Sequence, residues 1–129
     1  MKRKNVPART PWGDRVGYSR AVRTGRFISV SGTAASDEDG KVVGEGDAYQ
    51  QTRFVLKKVQ RALKELDASL KDVVRTRIYT TDISKWSEIG KAHEEFFGDV
   101  RPATTMVEVS RLIDGRMMVE IEADAIVRE

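Results

Sequence analysis

The sequence predicts an α+β fold: two helices packed on one face of a mostly antiparallel sheet, in the order ββ(β)αβαββ. Three observations predict it. Apolar residues recur at three- and four-residue steps in two segments, which is helical spacing. Alternating or β-branched runs surround those segments, which is strand spacing. Asp39-Gly40 and Asp114-Gly115 supply the tight reversals that an antiparallel sheet uses. The 129 residues are read as one domain over 1–129, long enough to hold a core without staples.

Residues 18–24 alternate modestly and read as a first strand. Residues 26–34, with Phe27, Ile28 and Val30, form a compact buried strand. Turn chemistry fills 36–46, where Val42 and Val43 add at most a short edge strand. Asp47 then caps the first helix, with Gln50 at capping-box spacing. Ala48, Thr52, Val55, Val59, Ala62, Leu63 and Leu66 make its apolar stripe. Residues 73–81 are a β-branched, alternating strand. Ser84 is the expected cap of a second helix, with Trp86, Ile89, His93, Phe96 and Phe97 on one side and Gly98 at its end. Two strands, about 104–112 and 117–127, close the chain as an Asp-Gly hairpin through residues 113–116.

Helices on one face leave the other face of the sheet bare. On the last strand that face carries Met118, Glu120, Glu122, Asp124 and Ile126, opposite Val119, Ile121, Ala123 and Ala125. A partly apolar, partly charged face calls for a ligand or a subunit partner, so a closed oligomer is expected.

Composition excludes several chemistries. With no cysteine there is no disulfide, thiolate metal site or cysteine nucleophile, and one histidine, His93, excludes a site needing two imidazoles. No apolar run approaches the roughly 20 residues of a membrane span. The basic N-terminus lacks the apolar stretch of a secretory signal, so a cytoplasmic protein is expected. Net charge is only +3, and Lys57, Lys58, Arg61 and Lys64 read as the wet side of the first helix. Aromatic residues do not interleave with the basic ones, so nucleic acid is not an expected partner. Glycine spacing matches neither a dinucleotide loop nor a phosphate loop, and no cofactor is expected.

Glu120, Glu122 and Asp124 share one strand face with Cβ atoms roughly 6.5–7 Å apart. They are either paired with Arg75 or Arg77 across the sheet, or include one functional acid whose neighbours raise its pKa. A line of carboxylates is a poor cage for a metal. His93, beside Phe96 and Phe97, reads as a half-buried, satisfied residue, with no serine triad around it. Arg101 precedes Pro102, which predicts an extended backbone there; its guanidinium would meet a ligand carboxylate or pair on the surface.

The stretch from Arg101-Pro102-Ala103-Thr104-Thr105-Met106-Val107-Glu108-Val109 to Val119-Glu120-Ile121-Glu122-Ala123 resembles the C-terminal signature of the RidA/YjgF family of reactive intermediate deaminases. Members have also been described as L-PSP endoribonucleases and translation inhibitors. Tyr18-Ser19-Arg20-Ala21, Ile28-Ser29-Val30-Ser31-Gly32 and Glu94-Glu95-Phe96-Phe97 match its opening strands and second helix, so the resemblance covers nearly the whole chain from residue 17. It implies a chorismate-mutase-like subunit, a homotrimer and small-molecule clefts at the subunit interfaces. It also implies Glu120 as the water-positioning catalytic acid, with Tyr18, Ser31 and Gly32 in the pocket. Trp86, Gly90, Arg101, Thr104 and Met106 complete the implied substrate-binding set, Gly90 standing where some relatives have asparagine. Thr104 occupies the position of the family's carboxylate-binding arginine, as in arginine-lacking Rid subgroups. Three functions follow: a hydrolytic deaminase of small imines or enamines with a non-standard anchor, a non-catalytic metabolite-binding trimer, or an endoribonuclease or translation inhibitor.

Overall fold

The computed structural model describes residues 2–128. Its six strands are β1 (Arg3–Pro7), β2 (Ser19–Thr24), β3 (Phe27–Ala34), β4 (Val73–Thr80), β5 (Ala103–Glu108) and β6 (Val119–Ile126). Two long helices, α2 (Ala48–Glu65) and α3 (Trp86–Phe97), the four-residue α1 (Gly13–Val16) and two 3₁₀ turns (Leu70–Asp72 and Ile83–Lys85) complete the regular structure. The sheet order is β1-β2-β3-β6-β4-β5.

The apolar stripes behave as their spacing predicts except at Trp86, which stands exposed at the start of α3. Val55, Leu56, Val59 and Leu63 of α2 and Ile89 and Phe97 of α3 are buried against Ile28, Val30, Ile78, Val119 and Ile121 of the sheet. Each large side chain removed from water contributes roughly 1.5–3 kcal/mol, enough for this layer to dominate the core. Asp47 caps α2, its carboxylate accepting from Gln50 N–H at 3.0 Å. The second cap lies earlier than expected. Asp82, not Ser84, accepts from the Ser84 N–H and starts a 3₁₀ turn that runs into α3.

Three further expectations are corrected. The terminal hairpin does not form, because β4 lies between β5 and β6. β5 pairs parallel to β4, the two joined through α3, and residues 109–118 then cross over the end of β4 to reach β6. The Asp114 turn exists, with Arg116 N–H donating to its carboxylate at 2.9 Å, but it shapes this crossover loop. Arg101 is left-handed (φ 54), not extended, because its N–H still bonds Phe97 C=O at 2.8 Å at the unwinding end of α3. β1 and α1 are additional to the predicted elements: Val6 is the only buried residue of β1, too little pattern to mark a strand. Val42 makes only an isolated bridge with Ser36.

Candidate functional site

β6 lies near the centre of the sheet, and its bare face carries the acidic row. Arg77 reaches Asp124 at 3.0 Å and Glu122 at 3.6 Å, and the Tyr79 hydroxyl donates to Glu122 at 2.9 Å. Those two acids are therefore paired. Glu120 differs: among the described residues, no protein group donates a hydrogen bond to its half-buried carboxylate. Burial pushes its pKa above the ordinary carboxylate value; Arg20 nearby pulls it down, and Glu122 adds to the rise.

The bed for Glu120 is a bulge in β3. The β3–β6 register slips between Val30 and Thr33, so Ser31 and Gly32 have no partner on β6. A β-carbon on Gly32 would lie 2.7 Å from Glu120 Oε2, so only glycine lets the carboxylate rest there. Ser31 Oγ ties the bulge to β2 through the Ser19 and Arg20 carbonyls, both at 3.0 Å. Arg20 Nη1 donates to Gly32 O at 2.7 Å, Thr33 Oγ1 at 3.0 Å and Ser31 Oγ at 3.2 Å. Over this bed lies a cleft of about 290 Å³ whose walls include Thr10, Trp12, Tyr18, Lys58, Ile113 and Met117. Tyr18 is held by a 2.8 Å hydrogen bond between its hydroxyl and Thr10. Gln51 braces the far wall: buried in α2, it donates to Arg116 O at 2.9 Å and accepts from Met118 N–H at 2.8 Å.

A second hollow of about 370 Å³ lies at the β5 edge and includes Gly90, His93, Arg101 and Thr104. Thr104 Oγ1 bonds the fully buried Thr76 hydroxyl at 2.8 Å, and that hydroxyl bonds His93 Nε2 at 2.9 Å. Burial pushes the imidazole pKa below its ordinary value, and the ring packs 4.7 Å from Phe97. His93 is thus half-buried and satisfied, as its setting on the helix predicts. Arg101 is exposed, with a 3.4 Å bond to Gly98 O.

Residues 12–127 match the endoribonuclease L-PSP family. The chain belongs to this family, also called RidA/YjgF. The 3-aminoacrylate deaminase RutC of Acinetobacter baylyi is 34% identical over 108 residues, spanning 84% of this chain and 85% of that protein. A RutC family protein of Pyrococcus abyssi is 36% identical over 108 residues, 84% of each chain. A Mycobacterium tuberculosis member of the YjgF/YER057c/UK114 family has a crystal structure with TM-score 0.89 and 48% identity, covering 98% of this chain and 100% of that one. The Escherichia coli YjgF structure superposes with TM-score 0.83 at 27% identity, over 97% and 99% of the two chains. The fold is the chorismate-mutase-like α+β sandwich of that family, here with a six-stranded mixed sheet and a third short helix.

Within this RidA/YjgF chain the expected site residues do not all meet. Glu120, Tyr18, Ser31 and Gly32 share the cleft on the bare face. Gly90, Arg101 and Thr104 share the edge hollow, two strands away from β6 and toward the helical side. Met106 pairs with the buried Ile78 and is partly packed on the core, while Trp86 is exposed at the start of α3 and lines neither hollow. Lys58 corrects its own expectation. It leaves the wet side of α2 and donates to Ala34 O at 2.9 Å and Ser36 O at 2.8 Å beside the cleft. Its flanking lysines and arginines hide it in the sequence, since charge runs read alike whether solvated or turned inward. Among the described residues, no group of three or more His, Asp or Glu side chains is placed to hold a metal ion.

Proposed function

We propose that this chain is a Rid-type hydrolytic deaminase of small imines or enamines, with Glu120 as its base and a non-standard substrate anchor. The observation that carries this reading is the Glu120 carboxylate itself: half-buried, without a protein partner, seated on Gly32 and raised in pKa. Such a group is placed to hold a water and to take its proton. As the water oxygen bonds the imine carbon, its proton passes to Glu120 and the C=N electron pair goes to nitrogen, which takes that proton from Glu120 to give a carbinolamine. Glu120 then removes the carbinolamine hydroxyl proton and passes it to nitrogen as the C–N bond breaks, leaving a carbonyl and ammonia. The similarity to a 3-aminoacrylate deaminase supports the reaction class.

The active unit in this proposal is a homotrimer, in which the edge hollow of one subunit faces the Glu120 cleft of the next. The division of the site residues between two separate hollows favours it. We also place the chain with the arginine-lacking Rid groups: Thr104 is neutral and bonded to Thr76, so it offers no guanidinium fork to a carboxylate. That absence costs about 2–3 kcal/mol of binding to a substrate held from position 104.

The test is ammonia release from a panel of imines made in place by an amino-acid oxidase. The expected result is release faster than buffer, lost in Glu120→Gln. If no imine is turned over while 2-oxo acids raise the melting temperature, the protein is a metabolite-binding oligomer instead. Thr104→Arg is expected to raise kcat/KM for 2-iminopropionate by about 30- to 150-fold, mainly through KM.

A further inference from the structure

We propose that Arg20 and Lys58 form an anion seat on the wall of the Glu120 cleft, and that it takes the carboxylate of a small monoanion. As the missing substrate anchor, this seat rests on the deaminase reading above; as an anion-binding site it does not.

The argument begins with charge in the wrong place. Arg20 is only 6% exposed, and buried guanidinium groups are ordinarily paired with acids. Among the described residues it has no carboxylate within ion-pair distance; its partners are hydroxyls and one carbonyl. Its Nε is buried with no hydrogen-bond partner, and Nη2 makes only a 3.5 Å contact with the Tyr18 hydroxyl. A buried donor without an acceptor is unusual and calls for an explanation.

Lys58 repeats the pattern from the helical side. Two of its three donors reach the Ala34 and Ser36 carbonyls, and no acid lies within ion-pair distance of it among the described residues. The third donor is free for a ligand. Burial and the neighbouring Arg20 charge push its pKa down to about 8, against a smaller opposing pull from Asp37. Both cations line the cleft that holds Glu120. Two positive groups against one carboxylate leave one positive charge, matched by one anion. The remaining acids near Lys58, Asp37 and Glu38, line a third, neighbouring hollow that Arg20 and Lys58 also border, and Asp37 already accepts from the Asp39 and Lys41 N–H groups. A monoanion in the cleft would thus meet a built, polar wall next to the catalytic acid.

The test is calorimetric titration of the full chain at pH 7 with pyruvate as the anion and ethyl pyruvate as its neutral counterpart. Pyruvate is expected to bind the wild type, and Lys58→Gln to weaken it by at least about tenfold. Lys58→Arg, which keeps the charge, should restore binding to within a few-fold, and ethyl pyruvate should not distinguish the three proteins. Glu120→Gln, which removes the competing negative charge, should bind pyruvate more tightly. Lys58→Met replaces the glutamine variant should that one not fold. Absent binding to the wild type, or equal binding by the wild type and the uncharged variant, overturns the seat. Ammonia release that depends on Glu120 alongside unchanged pyruvate binding in Lys58→Gln sinks the seat and keeps the deaminase. Lysine-dependent pyruvate binding with no imine turned over does the reverse.

Discussion

The two ends of the acidic row on β6 hold the same kind of side chain in opposite conditions. Asp124 and Glu122 lie against Arg77 and Tyr79 and are spoken for by their neighbours. Glu120 lies two residues further toward the start of the strand, opposite Ala34 of β3 and Tyr79 of β4, with its carboxylate resting on Gly32 of the β3 bulge rather than on a donor side chain. The difference teaches that chemistry on this face comes from what the adjoining strand withholds. A paired carboxylate is an acceptor already used; one perched on a glycine keeps its lone pairs for water.

The sharpest break in this contrast is Glu120→Gln, expected to lower kcat/KM by about 10²–10⁴-fold while the protein stays folded. Stability should move the other way. Because the folded-state pKa is raised, Glu120 favours the fold at acid pH, and that contribution is lost as pH rises through the raised value. The glutamine variant should therefore show a melting temperature at pH 7 no lower than wild type, and the gap should narrow as the acid is protonated. Next in size is Gly32→Ala, whose methyl group would sit 2.7 Å from Glu120 Oε2. Displacing the carboxylate from its bed should cost about tenfold in kcat with little change in pyruvate binding.

The pH profile of kcat/KM sharpens the comparison further. Activity should rise as Glu120 ionises through its raised pKa and fall as Lys58 loses its proton near 8. Lys58→Arg should remove the alkaline limb and leave the acid limb in place, which a purely structural lysine would not do. At the other end of the row, Arg77→Ala should change turnover less than about twofold and stability by under about 1 kcal/mol, since its ion pairs are partly exposed. A large loss of turnover there would erase the distinction between the two ends.

Much of the fold was legible because burial in it is periodic. The stripes of α2 and α3 and the alternation of β6 are repeated signals, and each marks its element within a few residues. The path of the last two strands was not legible. An Asp-Gly turn between two β-rich runs has the same local appearance in a hairpin and in a crossover loop; only the parallel pairing of β5 with β4 tells them apart. Glu120 was legible as one of three acids, and Gly32 and Tyr18 through a family pattern. The partners that separate Glu120 from Glu122 lie on β3 and β4, far along the chain. Arg20 was visible only as an arginine near Tyr18, and Lys58 was misread because its neighbours on α2 do face water. Inward turning of one lysine among several leaves no mark in composition or spacing.

Gln51 joins the two layers of the molecule in a way that bears on how its selectivity can drift. Both ends of that one amide grip the chain on either side of Met117, which forms part of the cleft. Any substitution that tilts α2 by a fraction of an ångström is transmitted through this clasp to the opposite layer as a movement of the methionine. Tuning of ligand shape is thus available to residues on the outer helix that never approach a ligand.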